Sequence, residues 1–193
     1  MKKSSGMTLI EMIIAIVLMG IAMVAFTSFL VPQIRDSAIP HYQTRAAALG
    51  QGFMSQILAR GFDENSDFDG GTVRCGENGV SCTDVNKLGA DKKLDGSLET
   101  TPSDFNDVDD YIGCWSTSTT ASQCDGIPRG NISDVLGADS TEQYKNFRLE
   151  ISVAYDDLTD KAPDEITEYK KVTLRIFAGN TQPLTLTAIK GNY

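Results

Sequence analysis

One carboxylate, Glu11, stands in an otherwise uncharged run of twenty-five residues from Met7 to Val31. A carboxylate in a membrane helix costs about 2.5–3.5 kcal/mol on insertion scales, so its presence there usually marks function. Ahead of the run lies a six-residue leader, Met1 to Gly6, carrying Lys2 and Lys3. Cleavage between Gly6 and Met7 would create a new α-amine four residues from Glu11. Two such helices side by side, offset along their axes, could pair the amine of one with the carboxylate of the other. Each partly desolvated charge would then need its partner.

Other residues with chemical potential lie further along. Cys75, Cys82, Cys114 and Cys124 all lie well beyond the apolar segment, with no C-x-x-C and a single distant histidine, His41. That spacing lacks the usual pattern of a zinc or iron–sulfur site. An even cysteine count beyond a membrane-crossing segment points to disulfides in an oxidising compartment. The local pairing, Cys75–Cys82 and Cys114–Cys124, is the first expectation because each closes a short loop. The two cross-pairings and four reduced thiols are the alternatives.

Asn65-x-Asp67-x-Asp69-Gly70 resembles the start of a calcium loop, but the bidentate glutamate due at position 76 is Gly76, with Glu77 one residue late. It reads as a weak calcium candidate against a solvated acidic turn. Asp107, Asp109 and Asp110 form a second acidic cluster, also read as solvated. His41, beside Pro40, reads as helix surface. There is no G-x-S-x-G, P-loop or nucleotide-binding glycine motif. Nothing in the sequence calls for a cofactor or a catalytic residue.

The elements that must position these residues follow from periodicity. At 1.5 Å per residue, a helix over Met7–Val31 crosses a bilayer. An ordinary secretory signal cut near Gly20-Ile21-Ala22 fits less well, because apolar sequence continues through Phe26, Phe29 and Val31. Beyond it Ile34, Ala38, Tyr42, Ala46, Leu49, Phe53 and Ile57 recur every three or four residues, one apolar helix face. Pro32 and Pro40 each remove a backbone donor and favour a kink. Arg60-Gly61 reads as the helix end, with glycine able to take positive φ.

Residues 62–143 read as loop, with a small hairpin expected from Thr72–Cys75 and Val80–Thr83 around Gly76-Glu77-Asn78-Gly79. Strict alternation at Phe147–Tyr155, Val172–Ile176 and Leu184–Ala188 predicts three strands with one buried face, the last two joined tightly at Gly179-Asn180. The expected fold is α+β. A long N-terminal transmembrane and assembly helix packs its later turns on a C-terminal antiparallel sheet, with a disulfide-stapled loop region between. Residues 1–6 are the leader, 7–31 the membrane segment, 32–61 its amphipathic continuation and 62–193 the head, with strands in 144–193.

Charge divides the same way. The 193-residue chain carries −9, but the first sixty residues carry +3 and the remainder −12. So acidic a head repels phosphate backbones, which argues against a nucleic-acid partner.

Gly6-Met7-Thr8-Leu9-Ile10-Glu11 resembles the processing motif of type IV pilins and type II secretion pseudopilins. The resemblance implies removal of the leader after Gly6, N-methylation of Met7 and use of Glu11 in assembly. The family usually has Phe where this chain has Met7. Four further stretches, Arg45–Gln51, Gly61–Asp67, Arg74–Glu77 and Phe105–Tyr111, are similar to the D-type minor pilins of the mannose-sensitive haemagglutinin (MSHA) pilus. That resemblance implies a low-copy subunit of a Gram-negative pilus used in surface attachment. Implied partners are other pilin subunits, a prepilin peptidase and an inner-membrane assembly platform. The chain would sit in the inner membrane with a periplasmic head before assembly, and in a surface pilus after it. The alternatives are a type II secretion pseudopilin and a membrane-anchored binding protein or enzyme.

Overall fold

The computed structural model describes residues 6–67, 73–93, 95–159 and 165–193, with the side chains of 34–38 left aside. The leader up to residue 5, Asp69, Gly70, Thr72 and the side chains of Ile34 and Ala38 therefore lie outside the described residues. Two compact units divide the chain between His41 and Tyr42.

In the first unit, helix α1 begins at Leu9; it runs Leu9–Leu58 with both Pro32 and Pro40 inside it. Each proline removes one N–H from the ladder, and the flanking bonds carry the helix past it. The segment Leu9–Gln33 is long and apolar enough to cross a membrane, and none of its most apolar window is buried. Ile10, Ile13, Ile16, Leu18, Val24 and Phe26 are all exposed. An apolar surface that wide, left exposed among the described residues, suits lipid or other helices as solvent.

In the second unit, α1 supplies Ala46, Leu49, Phe53 and Ile57, all buried, to one face of a five-stranded sheet. The strands are β1 (Gly113–Ser116), β2 (Pro128–Asn131), β3 (Phe147–Asp156), β4 (Tyr169–Ala178) and β5 (Leu184–Gly191). They lie in the order β2-β1-β3-β4-β5. The antiparallel register pairs Leu149 with Ile176, Ile151 with Leu174 and Val153 with Val172. The alternating positions thereby form one apolar layer, as period two requires. Gly50 lets the helix close on that layer: a Cβ there would meet Leu186 Cδ1 at 2.6 Å and Ile176 Cδ1 at 2.8 Å.

The α+β architecture and the three long strands match the sequence pattern; the intervening region departs from it. Residues 62–143 contain β1 and β2, a parallel pair, and the short helices α2 (Ile132–Leu136) and α3 (Ser140–Gln143). These strands have four residues each, with Gly113, Pro128 and Gly130 in them, so alternation could not reveal them. Trp115 is what fixes β1: it is fully buried against Phe53 and donates Nε1–H to Tyr111 O at 2.9 Å. The expected hairpin is a turn without strands across 73–83, held by Gly76 N–H donating to Val80 O. Gly61 is not a left-handed cap. It bridges to Asp107 and donates to Asn106 O at 2.9 Å, while Arg60 donates to Pro102 O and Tyr111 Oη. The link from β4 to β5 spans five residues, Gly179 to Pro183.

Candidate functional site

Gly6, Met7 and Thr8 precede α1 in irregular backbone, and all are exposed. Thr8 occupies the cap of the helix and Glu11 lies in its first turn. The Thr8 N–H donates to Glu11 Oε2 at 3.2 Å, and the Thr8 hydroxyl donates to the same oxygen at 3.1 Å. A glutamate reaching back three residues to a threonine cap satisfies one of the helix's free N–H groups, and its charge suits the positive end of the helix dipole. Thr8-x-x-Glu11 was legible as a capping box in sequence, and the reading of Glu11 as an intermolecular partner alone overlooked it. The carboxylate remains exposed. The Gly6–Met7 bond sits in exposed, irregular chain.

The four cysteines form two bridges in the head, Cys75–Cys82 and Cys114–Cys124. The first closes the turn at 73–83, and its Cys75 carbonyl accepts a hydrogen bond from Asn192 Nδ2 at 2.9 Å. The second ties β1, through Cys114, to the loop leading towards β2. Asp63, Cys75 and Cys82 cluster tightly, but disulfide sulfurs are not thiolates and cannot serve as metal ligands.

The second acidic cluster is not solvated. Asp107, Asp109 and Asp110 are each 0 % exposed, as are Asp63 and Lys170. Their burial is tolerable because the carboxylates are supplied with donors. Asp107 accepts from the N–H groups of Glu64, Asp109 and Asp110. Asp110 accepts from those of Asn106 and Asp107. Lys170 Nζ donates to Asp109 Oδ1 at 2.6 Å and Asp63 Oδ2 at 3.1 Å, with the rings of Phe62 and Tyr155 around it.

Burial alone would lower the pKa of Lys170, but Asp109, Asp107 and Asp63 outweigh it and raise it. Burial likewise opposes ionisation of Asp63, yet Lys170 and the N–H groups of Thr83 and Asn65 hold it below the usual carboxylate range. Asp107 shifts the other way, raised by burial and then by the charge of Asp109. The network staples the loops around 63, 83–89 and 107–110 onto β4. Asp63 and Asp109 are committed to Lys170 and Asp107 to backbone N–H groups, so this is structural chemistry. Lys170 was missed in the sequence although it stands in phase with Val172, Leu174 and Ile176, a charge on the inward side of a strand.

Of the calcium-loop candidates, Asn65 turns its N–H and Nδ2 towards Asp63 Oδ1 at 3.2 and 3.3 Å. Asp67 N–H donates to Val73 O, and Asp69 lies outside the described residues. His41 is exposed within α1.

No curated protein and no solved structure matches the chain. Residues 1–27 match the family model of the prokaryotic N-terminal methylation motif. That match covers Gly6, Met7, Glu11 and most of the apolar segment, and with it the chain carries a type IV pilin-like class III signal, of the kind shared by pilins and pseudopilins.

Proposed function

We propose that the chain is a minor structural subunit of a type IV pilus of the MSHA D type, taking part in pilus assembly and surface attachment. The observation that carries the reading is the exposed Glu11 carboxylate in the first turn of an uncovered, membrane-length apolar helix, just beyond an exposed Gly6–Met7 bond. In this reading a prepilin peptidase cuts between Gly6 and Met7, and Met7 is then N-methylated. The helix holds the subunit in the inner membrane with its head in the periplasm until the assembly platform passes it to the fibre. There Glu11 faces the Met7 amine of a neighbouring pilin subunit. The head, stapled by two disulfides and a buried lysine network, serves as a structural part and not as a catalyst.

Mass spectrometry of the mature protein tests the processing: Met7 is expected at the N terminus, methylated. Retention of residues 1–6, or cleavage near Ala22, overturns it. A pseudopilin of a type II secretion system would carry the same N-terminal signal. Deleting the gene separates the two: loss of surface pili supports the pilus reading, and loss of protein secretion with pili intact replaces it.

A further inference from the structure

Asp110 and Glu99 are 0 % and 4 % exposed, and each keeps one carboxyl oxygen without a donor. Asp110 Oδ2 accepts from the N–H groups of Asn106 and Asp107, but Asp110 Oδ1 and Glu99 Oε2 are buried with no hydrogen-bond partner. The two carboxyls lie within hydrogen-bonding reach of each other. As two carboxylates they are acceptors only and cannot bond. One proton placed between them makes a donor of one and satisfies both.

Arg129, from β2, sets the charge count. Its Nε and Nη1 donate to the backbone carbonyls of Asp110 and Glu99 at 2.6 and 2.8 Å, and its guanidinium lies 4.3 Å from the Phe105 ring centroid. Its Nη2 is buried with no partner, so it bonds to neither carboxyl and serves them only as a nearby positive charge. Arg129 with two carboxylates would leave one net negative charge out of water. Arg129 with one carboxylate and one carboxylic acid is neutral, and burial favours that state. The other charged neighbours push the same way. Burial, then Asp110, Glu64 and Asp91, raise Glu99 to about 8. On the far side of Asp110 stand Asp107 and Asp109, and the Lys170 ammonium there is already bound to Asp109 and Asp63.

Glu99 closes a turn made by residues 91–93 and 95–99. Its N–H donates to Asp91 O at 3.0 Å, and Lys93 N–H donates to Ser97 O at 2.8 Å. Lys93 Nζ also pairs with Asp104 at 2.8 Å, but that pair is partly exposed and such pairs hold little. The buried attachment of the turn is therefore Glu99. Asp91, Lys92 and Leu98 of this turn line an open cavity of about 1000 Å³ together with Glu64. We propose that Glu99 and Asp110 share one proton beside Arg129, and that this proton latches the turn to the head and releases it, with the cavity wall it forms, as pH rises. Glu99 keeps its proton in the latched state above its ordinary value of 4.5 and gives it to water once the turn is free. The latch is thus strongest below that value, weakens as pH rises, and is lost as pH passes through about 8.

The test is tryptic cleavage after Lys92 and Lys93 of the full chain in detergent micelles, followed by mass spectrometry. Each rate is divided by that of a free peptide of residues 88–98 at the same pH. Cleavage of a folded turn tracks its open population when reclosing is fast. The normalised rate should rise about tenfold between pH 7 and pH 9, the change in ionised fraction across two pH units centred on 8. Glu99→Gln should stay slow and flat, because its amide N–H donates to Asp110 Oδ1 without a titrating proton. Asp110→Asn should also be flat: its oxygen keeps the Asn106 and Asp107 N–H groups, and its amide N–H turns to Glu99. Near-UV circular dichroism checks that both variants fold, and either one carries the test if the other does not. Asp95→Asn, an exposed acid bound to Ser97, should keep the wild-type profile. Asp91, itself raised to about 7, is the rival source of a rise. Asp91→Asn should keep the rise and move it to lower pH, since one negative neighbour of Glu99 is gone. A flat wild-type profile, a rise that survives Glu99→Gln, or a rise abolished by Asp91→Asn overturns the latch.

Discussion

Lys170 Nζ lies 2.6 Å from Asp109 Oδ1, and both side chains are wholly removed from solvent. Sixty-one residues separate them in the chain. A buried pair of this kind adds little over a well-packed apolar substitute, but breaking it by removing one partner is expensive.

Lys170→Met is therefore expected to destabilise the head by about 3–5 kcal/mol, because Asp63 and Asp109 are left charged or forced to take up protons. The triple variant Lys170→Met, Asp63→Asn, Asp109→Asn should recover part of that loss. Urea unfolding followed by near-UV circular dichroism measures both. A single variant within about 1 kcal/mol of wild type contradicts the account, since that is the range of an exposed pair.

Glu11→Gln isolates the assembly charge from the capping role. A glutamine oxygen can still accept from Thr8, so the first turn should survive and membrane insertion should be normal or slightly easier. Incorporation into pili is what should fail. The neighbouring Met7 amine loses its counter-charge, a loss of up to about 3–5 kcal/mol if the pair is fully buried. Shearing pili from cells that carry the variant provides the measurement; wild-type amounts of it in the sheared fraction show that the ion pair is dispensable.

Each disulfide closes a short loop, with sequence separations of 7 and 10. Loops of this size are expected to contribute roughly 2–3 kcal/mol each in the chain-entropy account. Reduction should lower the melting temperature in two separable increments, assigned by the paired replacements Cys75→Ser with Cys82→Ser and Cys114→Ser with Cys124→Ser. Non-reducing peptide mapping checks the connectivity, and a Cys75–Cys124 peptide would refute it.

Gly113→Ala should cost about 1–3 kcal/mol. The residue has φ +133°, and an added Cβ would stand 2.7 Å from the carbonyl oxygen of Ile127, a backbone atom that cannot swing aside. Thermal unfolding of this variant against wild type decides it; an unchanged midpoint would show that β1 can shift to make room.

Asp156 supplies a small acid sensitivity. The Lys171 ammonium at 2.6 Å and the Leu158 N–H hold its carboxyl below the usual range. A depressed folded-state pKa contributes stability that is present above the unfolded value and lost as pH falls through the folded one. The loss therefore lies below pH 3.8, the group's ordinary value. A carbon-detected NMR titration should place the Asp156 midpoint under that value, and Lys171→Met should move it back up. A midpoint unmoved by Lys171→Met would show that the pair carries no weight.

The sequence by itself determined the features whose causes are local. Glu11 in its uncharged run, the membrane-length segment and the Thr8-x-x-Glu11 cap depend on residues a few positions apart. The strands β3, β4 and β5 are set by alternation, because one face of a strand must be buried whatever lies opposite. The stripe Ala46, Leu49, Phe53 and Ile57 likewise announces a helix face that needs a cover. Where the cause is a distant residue, only the tertiary structure could decide. Asp107, Asp109 and Asp110 look like any solvated acidic stretch until β4 brings Lys170 against them and Glu64, Gly89 and their own backbone supply N–H groups. β1 and β2 are too short and too rich in glycine and proline to show a period, and they became strands because Trp115 had to be buried and β3 offered an edge. Lys170 marks the boundary between the two kinds of knowledge. Its place in phase with Val172 and Leu174 is a local signal of an inward charge that the sequence reading passed over, while its partners, 61 and 107 residues earlier in the chain, are set by how the loops close over the sheet.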